Sequence, residues 1–406
     1  MAETLLAEKP TYAPIGDRFV SFSPEFAQDL TDVQVTLLAM DSLAVSIDTE
    51  FGTEIYDEAA YPGYRSSFTR DSAVANSLRG DPEVLENRLE FSLRRIGDVQ
   101  NPITGQEPGK PHHELPDVIS ASGLSTAYNA CDTAAEVLRA ISALAERGKT
   151  DLIDKYPEKI EQMVGYIKRH VNANGLFIED PAFSGNKEPD GRNRKFGLKV
   201  TYWKDSELNR HGSREPHYPI VYTLAHFQNA RALERFGQVM GDERLTRYGR
   251  YMTEAGLQYL WNQDHFVTAI DQDGVVDSPN SDSLHALLYI TPSNLPAGYA
   301  QKVEQYMKIL ETDAGYRSGI PVSQDVDDYH MGVWTHEQAQ LHAAAELQNL
   351  GHAQEVTRLI LPFIDPKKDF FPEVLDAQNF SPTGNKKQLW AIGAYLYFQN
   401  PKAALL

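Results

Sequence analysis

The sequence predicts an all-α protein, and three observations support this. Apolar residues recur at helical spacing in many segments, strand signals are few and local, and no linker or change of composition divides the 406 residues. About a dozen helices in consecutive pairs fit a closed ring of helical hairpins, an (α/α)6 barrel, although a solenoid or an irregular bundle has a similar helix count. We expect a single domain over 1–406, with an irregular N-terminal extension over 1–30.

The helices are predicted from apolar periodicity and from residues that start or stop helices. The segment 33–46 is apolar and suits either a strand or a helix. Asp132 and Thr133 are placed to cap a helix whose apolar positions continue to Ala145. The other expected helices cover about 82–96, 160–175, 219–233, 245–261, 299–310, 335–350, 353–364 and 387–398.

Strands and loops account for the remainder. A short hairpin is expected over 266–276. Within it, Asp271, Asp273 and Gly274 are read as a turn, because the later bidentate Glu of a calcium loop is missing. Three long loops, 101–123, 180–201 and 312–333, hold clusters of His, Asp, Glu and Trp. Long loops in a compact domain are usually functional or disordered, and these clusters favour function.

Charge and composition exclude some functions. With 38 Lys+Arg and 57 Asp+Glu, the net charge is −19, which argues against nucleic-acid binding. No apolar run approaches the length of a membrane span, and the N-terminus does not resemble a secretory signal. The one cysteine, Cys131, excludes an intrachain disulfide and suggests a reducing compartment. We therefore expect a cytoplasmic protein, and the oligomeric state is left open.

Several polar clusters next to expected helix ends are candidates for chemistry. Arg70-Asp71 is either a cap with a surface ion pair or a grip on two sugar hydroxyls. Residues 104–115 contain two His and two Glu, but their spacing and their Pro and Gly residues favour a loop over a metal site. In 202–206, Asp205 lies either in an exposed turn or beside Trp203, where partial desolvation raises a carboxyl pKa and suits a general acid.

Two further clusters lie at 329–337 and 371–391. Glu373 precedes a turn and an aromatic helix, so it is either a surface residue or a base that activates water. Tryptophans near these loops suit stacking on a sugar, although core packing is the more common role of Trp. No Gly-rich nucleotide-binding motif is present. Paired carboxylates, tryptophans and the lack of a cofactor motif point to carbohydrate chemistry, with no cofactor and no metal expected.

These clusters resemble, in order as well as content, the glucosidase domain of glycogen-debranching enzymes (amylo-α-1,6-glucosidase) and, more distantly, glucoamylases. The resemblance spans roughly 65–396. Each motif is short, but six in the same order are specific. The matching segments are 68–72, 105–114, 128–133, 203–206 (Trp-Lys-Asp-Ser), 329–337, and 372–373 with 388–390.

The resemblance implies an (α/α)6 barrel that hydrolyses an α-glycosidic bond with inversion. Asp205 matches the general acid and Glu373 the general base, with Glu337 as the reserve candidate for the base. An α-glucoside substrate is expected first, including an α-1,6 linkage, on an oligosaccharide or a small glycoside. The expected substrate-binding residues are Arg70, Asp71, His113, Glu114, Asp132, Trp203, Lys204, His330, Trp334, Glu337, Gln388 and Trp390.

The sequence departs from the family in three respects: Thr335 replaces a usual Pro, the 329–337 motif is one residue shorter, and no N-terminal β-rich region is present. Two alternatives to a hydrolase stay open. One is an isomerase like the sugar 2-epimerases, which use His pairs as acid and base, with His330 and His336 as candidates. The other is a non-catalytic sugar-binding barrel.

Overall fold

The computed structural model describes residues 30–118, 125–185, 202–204, 217–320 and 331–406, and these are mainly helical. The predicted helical class is therefore confirmed for this part of the chain, whereas the expected N-terminal extension lies almost wholly outside it. The α-helices are α1 (Asp32–Asp41), α2 (Thr69–Arg79), α3 (Pro82–Leu93), α4 (Thr133–Glu146), α5 (Asp151–Lys155), α6 (Pro157–Arg169), α7 (Thr223–Met240), α8 (Glu243–Tyr259), α9 (Asp282–Ala286), α10 (Tyr299–Met307), α11 (Thr335–Leu347), α12 (Gly351–Thr357) and α13 (Leu389–Gln399).

Six of these helices form a closed ring. In the order α2, α4, α7, α9, α11 and α13, each helix packs against the next, and α13 packs against α2. Six others lie against them, with α1 on α13, α3 on α2, α6 on α4, α8 on α7, α10 on α9 and α12 on α11. The chain therefore alternates between the inner ring and an outer layer.

The sequence explains which helices lie inside. In α13, every residue from Leu389 to Phe398 is buried, because this helix is apolar or small on all sides. The outer helix α6 buries only the face that carries Ile160, Met163, Tyr166 and Ile167. Small residues permit close packing in the ring: a Cβ at Gly393 would lie 2.7 Å from the Ala75 carbonyl oxygen of α2.

Side-chain caps fix where the outer helices begin. Asp81 accepts hydrogen bonds from the first amides of α3, and Asp242 does the same for α8. Between α2 and α3, Gly80 adopts a left-handed conformation with φ of 76°, which suits glycine at the end of a helix. Such tight connections place each outer helix directly against its inner partner.

Short strands join the loops at the ends of the helices. They are β1 (Ala44–Thr49), β2 (Gly52–Asp57), β3 (Ala60–Tyr61), β4 (Ser67–Phe68), β5 (Glu114–Leu115), β6 (Ile220–Tyr222), β7 (Trp261–Asn262), β8 (His265–Phe266), β9 (Ala269–Asp271), β10 (Gly274–Val276), β11 (Glu311–Thr312), β12 (Gly315–Tyr316), β13 (Val333–Trp334), β14 (Val374–Leu375), β15 (Pro382–Thr383) and β16 (Lys387–Gln388).

All pairings between these strands are antiparallel, and several hold the loops that lead into inner helices. Strand β4 pairs with β5, and β16 pairs with β3. Strand β14 lies between β13 and β15 and pairs with both, and β9 lies between β6 and β10 and pairs with both. Since β4, β6, β13 and β16 each lead directly into an inner helix, these pairings fix the backbone at the N-terminal end of the ring.

The structure corrects some sequence predictions. The ambiguous segment 33–46 divides into nearly all of helix α1 and the start of strand β1. Pro219 does not open a helix, because strand β6 intervenes before α7 begins at Thr223. The helix expected over 353–364 is α12 followed by a 3-10 helix over Arg358–Phe363, which contains Pro362. No helix in the described residues is long and apolar enough to cross a membrane.

Candidate active site

The candidate residues from different motifs meet at the N-terminal end of the inner ring. Asp132 is the N-cap residue of α4, and Asp282, which no sequence motif includes, is the first residue of α9. The partial positive charge at a helix N-terminus suits these carboxylates. Further candidates in the first turns of inner helices are Arg70 and Asp71 on α2, Glu337 on α11 and Trp390 on α13.

Arg70 connects its own sequence motif to three others. Its guanidinium lies 3.6 Å from the Asp71 carboxylate and donates to Asp132 at 3.4 Å. A second nitrogen lies 3.5 Å from Nε2 of His113, and the guanidinium carbon is 5.9 Å from the Trp390 ring centre. The Arg70-Asp71 pair is 5% and 4% exposed, so the alternative of a surface ion pair is wrong.

Asp132 joins α4 to the segment that carries Trp203. Its Oδ2 accepts from the Trp203 amide at 3.0 Å and from Arg70. Burial raises the pKa of the Asp132 carboxyl, and the positive charge of Arg70 partly opposes that rise. Asp132 thus fixes the backbone immediately before Lys204.

Four aromatic rings form a compact cluster, which we call the aromatic cluster: Trp203, Trp334, His336 and Trp390. His336 stacks on Trp390 with ring centres 3.7 Å apart and an interplanar angle of 7°. The Trp203 ring meets His336 edge-on at 4.8 Å and Trp334 at 5.9 Å. All four side chains are buried.

The aromatic cluster contains polar atoms that lack partners. Among the described residues, neither the indole nitrogens of Trp203 and Trp390 nor either ring nitrogen of His336 makes a hydrogen bond. Burial is the main reason why the pKa of His336 lies well below its usual value. Electrostatic repulsion from His285, Arg70 and Lys204 lowers this pKa further. The neutral imidazole is able to donate one hydrogen bond and accept another. Buried polar groups normally have partners, so this arrangement suits a polar ligand.

Lys204 forms a buried ionic cluster between α9 and α11. Its ammonium lies 2.8 Å from Asp282 and 3.4 Å from Glu337, and donates to the Ser281 hydroxyl at 2.6 Å. The Ser281 hydroxyl is also hydrogen-bonded to Glu337, and the Tyr202 hydroxyl donates to Asp282 at 3.0 Å. This cation balances two buried carboxylates and ties residues 202–204 to the ring.

Glu373 lies immediately before β14, next to the start of α11. Its carboxylate accepts hydrogen bonds from the backbone and side-chain nitrogens of Asn385, both at 2.9 Å. Its carbonyl accepts from the Thr335 amide at 3.1 Å, and the Thr335 hydroxyl donates to the Pro372 carbonyl at 2.6 Å. Thr335 stands where the debranching-enzyme motif has Pro, and it lies between Trp334 and His336 in the chain. Its two hydrogen bonds therefore hold residues 372–373 against the start of α11. At 4% exposed, Glu373 is not a surface residue.

The remaining described candidates have mainly local partners. His113 accepts from Arg70, while its other ring nitrogen lies 3.3 Å from the Thr126 carbonyl. Glu114 accepts from the Thr126 hydroxyl at 2.6 Å, and burial raises the pKa of this carboxyl. Gln388 caps α13 through its side-chain oxygen, at 3.0 Å from the Trp390 amide. Substrate contacts by these three residues stay predictions.

Two of the predicted residues, Asp205 and His330, lie outside the described residues. Four described residues near the site were not predicted from the sequence: Ser281, Asp282, His285 and Asn385. Asp282 and Ser281 follow a turn in a segment without helical periodicity, and Asn385 lies in a Gly-bearing loop. Only their positions relative to Lys204 and Glu373 mark them as important.

One group in the described residues has the composition of a metal site: His217, Asp271 and Asp273, whose candidate ligand atoms all lie within 4.8 Å of one another. These residues bond among themselves, because the His217 amide donates to Asp271 at 2.7 Å and the Asp273 amide donates to the same carboxylate at 2.8 Å. Asp271 pairs with Gly274 across the β9–β10 hairpin, which confirms the predicted turn.

Solved structures with a similar fold include glycoside hydrolases. A GH63 mannosylglycerate hydrolase from Thermus thermophilus, solved in complex with Tris, has a TM-score of 0.62 and 13% identity, covering 91% of this chain and 100% of that one. The same values describe the complex of that enzyme with glucose. A GH78 rhamnosidase of Bacillus sp. GL1 has a TM-score of 0.56 and 12% identity, covering 96% of this chain and 36% of the rhamnosidase.

No protein-family model and no curated protein sequence matches the chain. At 12–14% identity, the structural likeness shows a shared fold. The glycosidase activity and the debranching subfamily stay predictions.

Proposed function

We propose that this chain is an inverting glycoside hydrolase that removes a terminal α-linked hexose from a small glycoside or oligosaccharide. In this proposal the closed helical ring is an (α/α)6 barrel, and the substrate enters at the N-terminal ends of the inner helices. The α-glucosidase specificity, the debranching-like subfamily and the cytoplasmic location are all part of the proposal.

The observation that carries the proposal is the aromatic cluster with its unpaired polar atoms. Sugars present apolar ring faces beside hydroxyl groups that donate and accept hydrogen bonds. The rings of Trp203 and Trp334 supply apolar surfaces, while His336 and the indole N–H groups of Trp203 and Trp390 supply hydrogen bonds. The adjacent Arg70-Asp71 pair supplies further donors and acceptors for the hydroxyls of the terminal hexose.

In the proposed reaction, Asp205 protonates the glycosidic oxygen while Glu373 takes a proton from the water that attacks the anomeric carbon from the opposite face. The backbone of Glu373 is bonded to Thr335, between two members of the aromatic cluster, which supports this role. Inversion requires room for the water, so we expect carboxyl groups about 6.5–9.5 Å apart. A separation near 5 Å would indicate retention, and one beyond about 12 Å would reject this pair of residues.

Glu337 is the weaker candidate for the base. Its carboxylate lies 3.4 Å from the Lys204 ammonium and is hydrogen-bonded to Ser281. Taking a proton from water would leave the buried Lys204 charge with one carboxylate fewer to balance it. These contacts support a structural role for Glu337 at the start of α11.

The experiment that tests the proposal is proton NMR of the purified protein with a panel of α-glycosides. The panel contains isomaltose, panose, trehalose, sucrose, glucosylglycerol and a limit dextrin, with mannosylglycerate added because of the neighbour's activity. We expect initial release of the β-anomer of the hexose, lost in Asp205→Asn and in Glu373→Gln. Initial release of the α-anomer would reject inversion.

A second candidate function is sugar isomerisation. The observation that favours it is that His285 and His336 both contact the Trp203 ring, at 6.2 and 4.8 Å between ring centres, and burial lowers the pKa of each. Interconversion of free mannose, glucose and fructose in the same NMR assay, lost in His336→Asn, would support the isomerase. Tight sugar binding without turnover of any compound would instead support a binding protein.

A further inference from the structure

A cavity lies near the C-terminal ends of the inner helices, and we call it the basal cavity. Its volume is about 300 Å³, at the lower end of small-molecule sites. It is lined by Arg139 of α4, Arg231 and Arg235 of α7, and residues of α11 and α13. Ala343, which lines the cavity, follows His336 by seven positions on α11, which corresponds to about 10 Å along the helix axis. The cavity is therefore separate from the candidate active site.

The arginine side chains give the basal cavity a surplus of hydrogen-bond donors. Arg139 directs two of its nitrogens at a single oxygen of Glu136, at 3.1 and 2.6 Å. Its third nitrogen, Nη1, makes no hydrogen bond to the described residues, although the side chain is only 4% exposed. The other oxygen of Glu136 is occupied by the Tyr289 hydroxyl and by Gln228, both at 3.0 Å.

The other two arginines are held by carboxylates and face the same space. Arg235 makes two hydrogen bonds to Glu146, at 2.8 and 2.7 Å, and Arg231 makes one to Glu234 at 3.1 Å. A guanidinium has five N–H groups, so these contacts leave donors for a ligand. The acidic group in the wall, Glu346, already accepts from the Tyr397 hydroxyl at 3.0 Å.

We propose that the basal cavity binds the oxyanion group of a small metabolite, either a phosphate or a carboxylate. A carboxylate has acceptors and no donor, and an ionised phosphate has more acceptors than donors, which complements the arginine wall. Helix C-termini carry partial negative charge and disfavour anions, so binding depends on the arginines. The 300 Å³ volume leaves room for a small organic group attached to the oxyanion.

The test is isothermal titration calorimetry of the full chain with inorganic phosphate and, separately, with acetate, at constant ionic strength maintained with sodium chloride. We expect saturable one-site binding of at least one probe, and the probe that binds identifies the oxyanion. The affinity should fall at least tenfold in Arg231→Gln and in Ala343→Leu, which reduces the cavity volume. Arg139→Gln should act in the same direction, but it also removes the partner of Glu136.

The matched control is Arg247→Gln, an exposed arginine on α8 that does not line the cavity, and it should bind as the unmodified chain does. Binding heats equal to those of added chloride would overturn the proposal, as would unchanged phosphate and acetate affinities in both Arg231→Gln and Ala343→Leu. Because calorimetry measures no turnover, this result is independent of whether the chain hydrolyses glycosides.

Discussion

Two buried glutamates, Glu337 and Glu373, lie at the start of α11, and their side chains have different partners. Glu337 lies in the first turn of the helix, where Lys204 and Ser281 hold its carboxylate. Glu373 enters from the neighbouring loop and accepts two hydrogen bonds from Asn385, a neutral residue. Burial is therefore a poor guide to chemical role, because one carboxylate balances a buried cation while the other is presented by a loop beside the aromatic cluster.

The largest expected effect comes from Glu373→Gln. If Glu373 is the general base, kcat should fall by roughly 10²- to 10⁴-fold, the usual contribution of general acid–base catalysis. The amide keeps the size of the side chain, so the free energy of unfolding should change little. The measurement is the initial rate by NMR on the best substrate, with Glu355→Gln on the exposed face of α12 as the control. Full activity in Glu373→Gln would transfer the role to Glu337.

The second prediction tests the ionic cluster. Lys204→Met leaves Asp282 and Glu337 buried without their shared cation, so we expect a loss of about 3–5 kcal/mol in the free energy of unfolding. Urea unfolding measures this loss. Lys204→Met combined with Glu337→Gln should recover part of it, because one uncompensated charge is removed. An unchanged midpoint in the single variant would contradict the structural role of the cluster.

The folded chain should lose stability at acid pH, which limits the pH range in which variants of Glu337 and Glu373 can be compared. Burial lowers the pKa of His112 to about 3 and that of His226 to about 4, from 6.5. Protons therefore bind these two histidines in the unfolded chain but not in the folded one as the pH falls below about 6.5. Each should cost about 2 kcal/mol of stability at pH 5.

Urea unfolding at pH 7, 6 and 5 checks this expectation. In the folded chain, His226 accepts from the Phe177 amide at 3.1 Å and lies 2.9 Å from the Met252 carbonyl, an arrangement that requires a neutral ring. His226→Gln should therefore show a weaker pH dependence than the unmodified chain. Equal slopes in the two proteins would contradict the assignment.

Glu337→Gln should have a smaller effect than the loss of Lys204. Asp282 still balances the ammonium, and the amide retains a hydrogen-bond acceptor for Ser281, so we expect a cost of about 1–3 kcal/mol. Turnover should stay within about tenfold of the unmodified chain. A loss of activity as large as in Glu373→Gln, without unfolding, would make Glu337 the base.

The smallest effect should come from Trp390→Phe. The ring that stacks on His336 is kept, while the indole N–H is lost. One hydrogen bond to a sugar hydroxyl is worth about 0.5–1.5 kcal/mol, so KM should rise roughly 2- to 10-fold with little change in kcat. Tyr259→Phe, at a partly exposed site on α8, is the control. An unchanged KM would remove Trp390 from the proposed sugar contacts.

Most of the helices were predictable, whereas some of the elements that build the site were not. Long helices such as α4 and α8 carry a strong apolar pattern, and Asp242 marks where α8 begins. Helix α9 has only five residues and no periodicity, so its contribution of Asp282 was not anticipated. The Pro219 signal failed because local strand pairing between β6 and β9 outweighs the tendency of proline to start a helix.

The sequence by itself determined the helical class, the consecutive pairs of helices, and a set of motifs that predicted Arg70, Asp71, Trp203 and Glu373 as site residues. Those properties depend on local spacing and residue type. Only the tertiary structure decided which polar atoms are paired, because pairing depends on groups far apart in the chain. The distinction between Glu337, held by Lys204, and Glu373, held by Asn385, is of this second kind.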